Sequence, residues 1–156
     1  MNIRIHKLAA MALAILVLTA ASKMSAQSAD SNANSIVGTW NTTVTFVDCT
    51  TGAVIRSFPT MNTFNQGGTM LETPRSLAQR SPGHGTWART QGHEYTSTFK
   101  FFRSNADGTD NGYQIVYRSQ VLEDGTLNTT AVFQNYNAAG IPTTSGCALE
   151  TATRLQ

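Results

Sequence analysis

The run Gly112-Tyr113-Gln114-Ile115-Val116-Tyr117-Arg118-Ser119-Gln120-Val121-Leu122 is followed by Glu123-Asp124-Gly125, and then by Thr126-Leu127-Asn128-Thr129-Thr130-Ala131-Val132-Phe133-Gln134-Asn135-Tyr136. Both runs are rich in β-branched and aromatic residues and alternate in polarity, and Asp-Gly between them favours a tight turn. Together they read as a β-hairpin. Outward from it the same pattern recurs. Gly85–Thr90 and His93–Arg103 pair about Gln91-Gly92. Upstream, Val37–Val47, Ala53–Asn65 and Thr69–Thr73 are strand-like, the second bent or interrupted at Pro59, and Thr144–Leu155 closes the chain. Turn residues (Thr51-Gly52, Gly67-Gly68, Asp107-Gly108, Ala139-Gly140) separate the runs. No stretch reads as a helix of useful length. The one long irregular segment is Pro74–His84, with room for a short helical turn. The chain is expected to be all-β.

Alternation sorts each strand into two faces. Trp40, Thr42, Val44 and Phe46 share one side of the first strand, and Tyr95, Ser97, Phe99, Phe101 and Arg103 one side of the fifth. Tyr113, Ile115, Tyr117 and Val121 line up in the sixth, Leu127, Ala131 and Phe133 in the seventh, and Cys147, Leu149 and Leu155 in the last. The opposite faces carry Asn41, Thr43, Lys100, Gln114, Arg118, Gln120, Asn128, Gln134 and Glu150. One dry and one wet face in each of about eight strands suits a single antiparallel up-and-down barrel. A two-sheet sandwich alternates in the same way. The two cysteines favour closure. Cys49 follows the first strand and Cys147 sits in the last, which are neighbours in a closed barrel. In an oxidising compartment they read as one disulfide, the alternative being two buried thiols.

The N-terminus reads as a targeting segment. Arg4, His6 and Lys7 precede the apolar run Leu8–Ala21, and small residues follow. That is the anatomy of a secretory signal peptide, cleaved after Ala26 or after Ser22. The run falls short of the roughly 20 apolar residues of a spanning helix, so no stable membrane anchor is expected. The expected organisation is a signal peptide at 1–26, a disordered leader at 27–35 and a barrel domain at 36–156, in a secreted or periplasmic protein. Arg4, Lys7 and Lys23 leave with the peptide, so 11 basic residues become 8 against 9 acidic ones. No Lys/Arg cluster remains in the sequence, so nucleic acid is not an expected partner.

Gly38-Thr39-Trp40 heads the first strand, and Arg154 lies in Thr151-Ala152-Thr153-Arg154-Leu155. This pair resembles the Gly-x-Trp motif and terminal arginine of the calycin superfamily, which includes lipocalins, fatty-acid-binding proteins and avidins. The resemblance implies a lipocalin-like barrel plugged at one end by Trp40, with Arg154 held over the indole by cation–π attraction. Arg80-Ser81-Pro82-Gly83-His84-Gly85-Thr86-Trp87, followed by Tyr95 and Phe99-Lys100-Phe101-Phe102-Arg103, is similar to a family of small exported bacterial proteins of unknown function. The chain departs from true lipocalins: it is shorter, has no clear helix before the last strand and lacks a Thr-Asp-Tyr segment. Two tryptophans are too few for an avidin-like biotin pocket. The resemblance implies a fold and a habit of holding small apolar molecules.

The aromatic residues pose the functional question, because an eight-stranded barrel can be filled or hollow. Hydroxyls among the inward residues (Thr42, Ser97, Ser119, Thr129) favour a cavity, since a solid core leaves them needing partners. The expected ligand-binding set is Trp40, Phe64, Glu72, His84, Trp87, Tyr95, Phe99, Phe101, Tyr117 and Phe133, holding a small hydrophobic or amphipathic molecule. Pro74–His84 is expected to border the entrance, because a loop of that length in a compact domain is usually functional or disordered. There Arg75, Arg80 and His84 would orient an acidic or hydroxylated head group, with Trp87 beside the mouth. A second reading is a barrel enzyme of isomerase or cyclase type using His84 and Glu72. A third is a structural exported domain without a cavity. No catalytic residue is assigned, since the chain has no Gly-x-Ser-x-Gly elbow. No metal is expected either: the mature histidines lack zinc-ligand spacing, and Asn105–Gly112 lacks the distal Glu of a calcium loop. No cofactor is expected.

Overall fold

The computed structural model describes residues 35–156. The expected signal peptide, and all but the last residue of the expected leader, lie outside the described residues. Eight strands follow one another: β1 (Gly38–Val47), β2 (Val54–Phe64), β3 (Thr69–Pro74), β4 (Gly83–Gln91), β5 (Glu94–Ser104), β6 (Asp110–Glu123), β7 (Thr126–Tyr136) and β8 (Pro142–Arg154). Each pairs antiparallel with the next, and β8 returns to β1. The β1–β8 ladder runs from Trp40 opposite Arg154 to Val47 opposite Cys147, so the sheet is a closed barrel and not a sandwich. No helix occurs among the described residues, and the Pro74–His84 segment contains no helical turn.

The sequence grammar works locally. Asp124 and Gly125 have φ of 48° and 75°, the paired left-handed conformation that a two-residue hairpin turn demands. Pro59 does not break β2; it pairs with Thr43 of β1 and lies just beyond the point where β3 ends, opposite Thr60. No strand on that side remains for its missing amide to interrupt. Cys49 and Cys147 are bonded, with Cα atoms 5.3 Å apart, which fastens the end of β1 to β8. Such a bridge fits an oxidising compartment.

One end of the barrel is closed. Trp40 is fully buried there, its Nε1 donates to the Ile36 carbonyl at 2.8 Å, and the Arg154 guanidinium sits 4.4 Å from the indole centroid. Arg154 also donates to the carbonyls of Val37 and Ser35, binding the chain before β1 to the last strand. Gly38 permits this: its φ is +130°, and a Cβ there would lie 2.4 Å from Arg154 Nη1. Ile36, Phe64, Tyr95, Leu122 and Leu127 complete the plug.

Two strands face the opposite way from the sequence expectation. In β6 the inward residues are Gln114, Val116, Arg118, Gln120 and Leu122, while Tyr117 is 45% exposed on the outside. In β8 they are Ala148, Glu150 and Ala152, while Leu149 is 49% exposed. Ser119 likewise points outward. The physical reason is that Arg118 pairs with Glu150, and Gln120 with Ser97, inside the barrel, so the apolar-in rule fails where the interior is itself polar.

Candidate binding site at the open end of the barrel

β3 has only 6 residues, whereas β2 beside it has 11. The upper half of β2 therefore has no partner strand on that side, and residues 75–82 cross the opening instead. Ser81 N donates to Phe102 O, Ser104 N to Gln79 O, and Phe102 N to Ser81 Oγ, so the segment lies along the upper part of β5. Between it, β2 and the tops of β5–β8 is an open cavity of about 960 Å³. That is at the upper end of the range for small-molecule sites.

The cavity has an apolar floor. Phe46, Phe58, Phe101 and Phe133 line it. Phe46 meets Phe58 edge-on at 5.2 Å and Phe133 at 5.1 Å. Gly146 of β8 is what lets Phe133 lie flat across the wall, since a Cβ there would come within 2.3 Å of the ring. Gln114 also faces the cavity; it is only 8% exposed and its amide makes no hydrogen bond to the described residues. The rim is basic: Arg56, Arg75, Arg80 and Arg103 line the cavity, and no carboxylate of the described residues does. The Arg56 guanidinium hangs 4.9 Å from the Phe46 centroid and 5.4 Å from that of Phe58. The Arg80 guanidinium lies 3.5 Å over Phe101 and is ion-paired to Glu72.

Below this floor the barrel is filled with a polar layer. Arg118 donates through Nε to Glu150 at 2.9 Å and through Nη1 to Asn62 at 3.1 Å, and its guanidinium lies 4.3 Å from the Phe99 centroid. Asn62 in turn donates to Thr42 at 2.8 Å, and Ser97 to Gln120 at 2.8 Å. Two of the four hydroxyls expected to signal a cavity, Thr42 and Ser97, are thus spent on a packed network, and Ser119 faces outward. Thr60 Oγ1 is the single fully buried side-chain polar atom without a partner among the described residues. Burial pushes the Glu72 carboxyl above its ordinary range, against the attraction of Arg80 and Arg118.

The ten expected ligand residues therefore separate by level. Phe101 and Phe133 line the cavity. Glu72, 1% exposed, and Phe99 lie beneath it. Trp40, Phe64, Trp87 and Tyr95 gather at the closed end, where Trp87 stands 6.3 Å from Phe64 and 5.9 Å from Tyr95 and donates to the Asn65 carbonyl. Trp87 is thus remote from the mouth, because β4 runs downward from Gly83. His84 and Tyr117 point outward. Glu72 is opposite Gly83 in the ladder and His84 is opposite Leu71, so Glu72 and His84 occupy opposite faces and form no acid–base pair. Sequence reasoning missed Phe58, Arg56, Arg103 and Gln114 as site residues. Phe58 and Arg56 were hidden behind Pro59, and Gln114 behind the inverted reading of β6. No family model, curated protein or solved structure matches the chain.

Proposed function

We propose that this protein is an exported, lipocalin-like binding module that holds a small apolar or amphipathic molecule in the open end of its barrel. The observation that carries the reading is the phenylalanine-floored cavity of about 960 Å³ above a packed polar layer. A purely structural barrel gains nothing from leaving Phe46, Phe58 and Phe133 only partly buried around open space, where full burial would add to the stability each contributes. The calycin assignment is supported by Gly38-x-Trp40 at the head of β1 and by Arg154 stacked on the indole. Export is supported by the basic-then-apolar N-terminus and by the disulfide. The enzyme reading loses its residue pair, since His84 lies outside the barrel.

The test is a titration with N-phenyl-1-naphthylamine, a neutral apolar dye. Saturable fluorescence enhancement is expected, weakened about ten-fold in Phe46→Ala or Phe133→Ala and unchanged in Lys100→Ala on the outer face. Absence of saturable binding by the folded wild-type protein contradicts the proposal.

A further inference from the structure

We infer that the ligand is a small organic anion, whose apolar body rests on the phenylalanine floor while its anionic group is held by the arginine rim. The inference rests on the binding-module reading and adds the chemical class. Only 8 basic residues follow position 26, and Arg56, Arg75, Arg80 and Arg103 all line this one cavity. The sequence placed Arg75 and Arg80 at the entrance but concealed Arg56 and Arg103, which reach it from β2 and β5.

Among the described residues, Arg80 pairs with Glu72, whereas Arg56, Arg75 and Arg103 form no ion pair. The carboxylates of the loops around the mouth keep their charge but make no ion pair with these arginines, and each accepts hydrogen bonds within its own turn. Asp48 accepts from Thr50 and Thr51, Asp107 from Thr109, and Asp110 from the Gly112 amide. Three guanidiniums without an ion-pair partner, set around an opening with an apolar floor, attract an anion that enters it. Guanidinium also forms paired hydrogen bonds to carboxylate, sulfonate and phosphate oxygens, which ammonium does not match. A second observation points into the same space. Gln114, more than nine-tenths buried, presents an amide to the cavity with no partner among the described residues. The amide is open to the cavity, so a polar atom on the ligand can pair with it.

The test compares three probes of one shape: 2-naphthoate, its methyl ester and 2-naphthylmethylammonium. In the wild-type protein the carboxylate is expected to bind about ten-fold or more tighter than the ester, and the ammonium more weakly than either. Raising salt from about 20 mM to about 300 mM should weaken the carboxylate and spare the ester. The triple variant Arg56→Gln/Arg75→Gln/Arg103→Gln should bind carboxylate and ester alike, with its ester affinity retained as proof that the site is intact. If the wild type binds the ester as tightly as the carboxylate, the anion inference is overturned and the binding module stands. If no probe binds the folded protein, the binding-module reading falls and takes the inference with it.

Discussion

Arg118 is the residue on which the barrel's interior turns. Its side chain is 1% exposed, and its charge is tolerable only because Glu150, Asn62 and the face of Phe99 surround it. Removing one partner of a buried ion pair leaves the other charged and desolvated, a loss of about 3–5 kcal/mol. Arg118→Met is therefore expected to lower unfolding free energy by that much in urea titrations, and Arg118→Met/Glu150→Gln to recover a substantial part. A double variant no more stable than the single one contradicts the pairing. Glu72 offers a pH test. Its folded pKa lies above its unfolded value because burial outweighs the attraction of Arg80 and Arg118, with Glu150 adding repulsion. A group shifted this way contributes stability that is fully present below the ordinary glutamate range and is lost as pH rises through the raised pKa. An amide in its place does not titrate, so the stability of Glu72→Gln minus that of wild type should rise with pH from the ordinary glutamate range through the raised pKa and then level off. A flat or falling difference would falsify the assignment.

At the scale of the element, β3 and the segment after it decide the site. β3 stops at Pro74, and residues 75–82 roof the gap, anchored by Arg80 on Glu72 and Phe101. Arg80→Ala should loosen that roof alone. Amide hydrogen exchange at Ser81 and Ser104 is expected to accelerate about ten-fold or more, while amides of the β6–β7 ladder keep their protection. Equal acceleration in both would mean that Arg80 supports the whole barrel. Strands and turns were legible because Asp124-Gly125, Gln91-Gly92 and the alternating runs are local signals. Facing in β6 and β8 was not, because alternation assumes a dry core, and here Gln114, Arg118, Gln120 and Glu150 point inward while Tyr117 and Leu149 point out. A correcting signal was nonetheless present. A two-residue turn at Asp124-Gly125 sets Leu122 opposite Leu127, and directly opposed residues share a face. Leu127 inward thus requires Leu122, Gln120 and Arg118 inward as well. The cavity itself was only half legible. The long loop marked its edge, but Arg56 and Arg103 meet there only through the closed topology.

The whole molecule is a barrel with two unlike ends, joined by a polar waist. Trp40 and Arg154 seal one end, and phenylalanines and arginines open the other. Cys49–Cys147 closes a sequence separation of 98 residues, which stabilises the fold by about 4–5 kcal/mol in the chain-entropy account. Thiol titration of the denatured, unreduced protein should find no free thiol from this pair, and two would contradict the bridge. The division into a sealed end and a hollow end is most directly tested by backbone amide chemical-shift mapping with methyl 2-naphthoate, a neutral probe whose binding does not depend on the rim charges. Saturable shifts are expected at Phe46, Phe101, Gln114, Phe133 and the 75–82 segment, with none at Ile36, Trp40, Tyr95 or Leu127. Shifts centred on the Trp40 end, or no saturable shift at the mouth, would contradict the account.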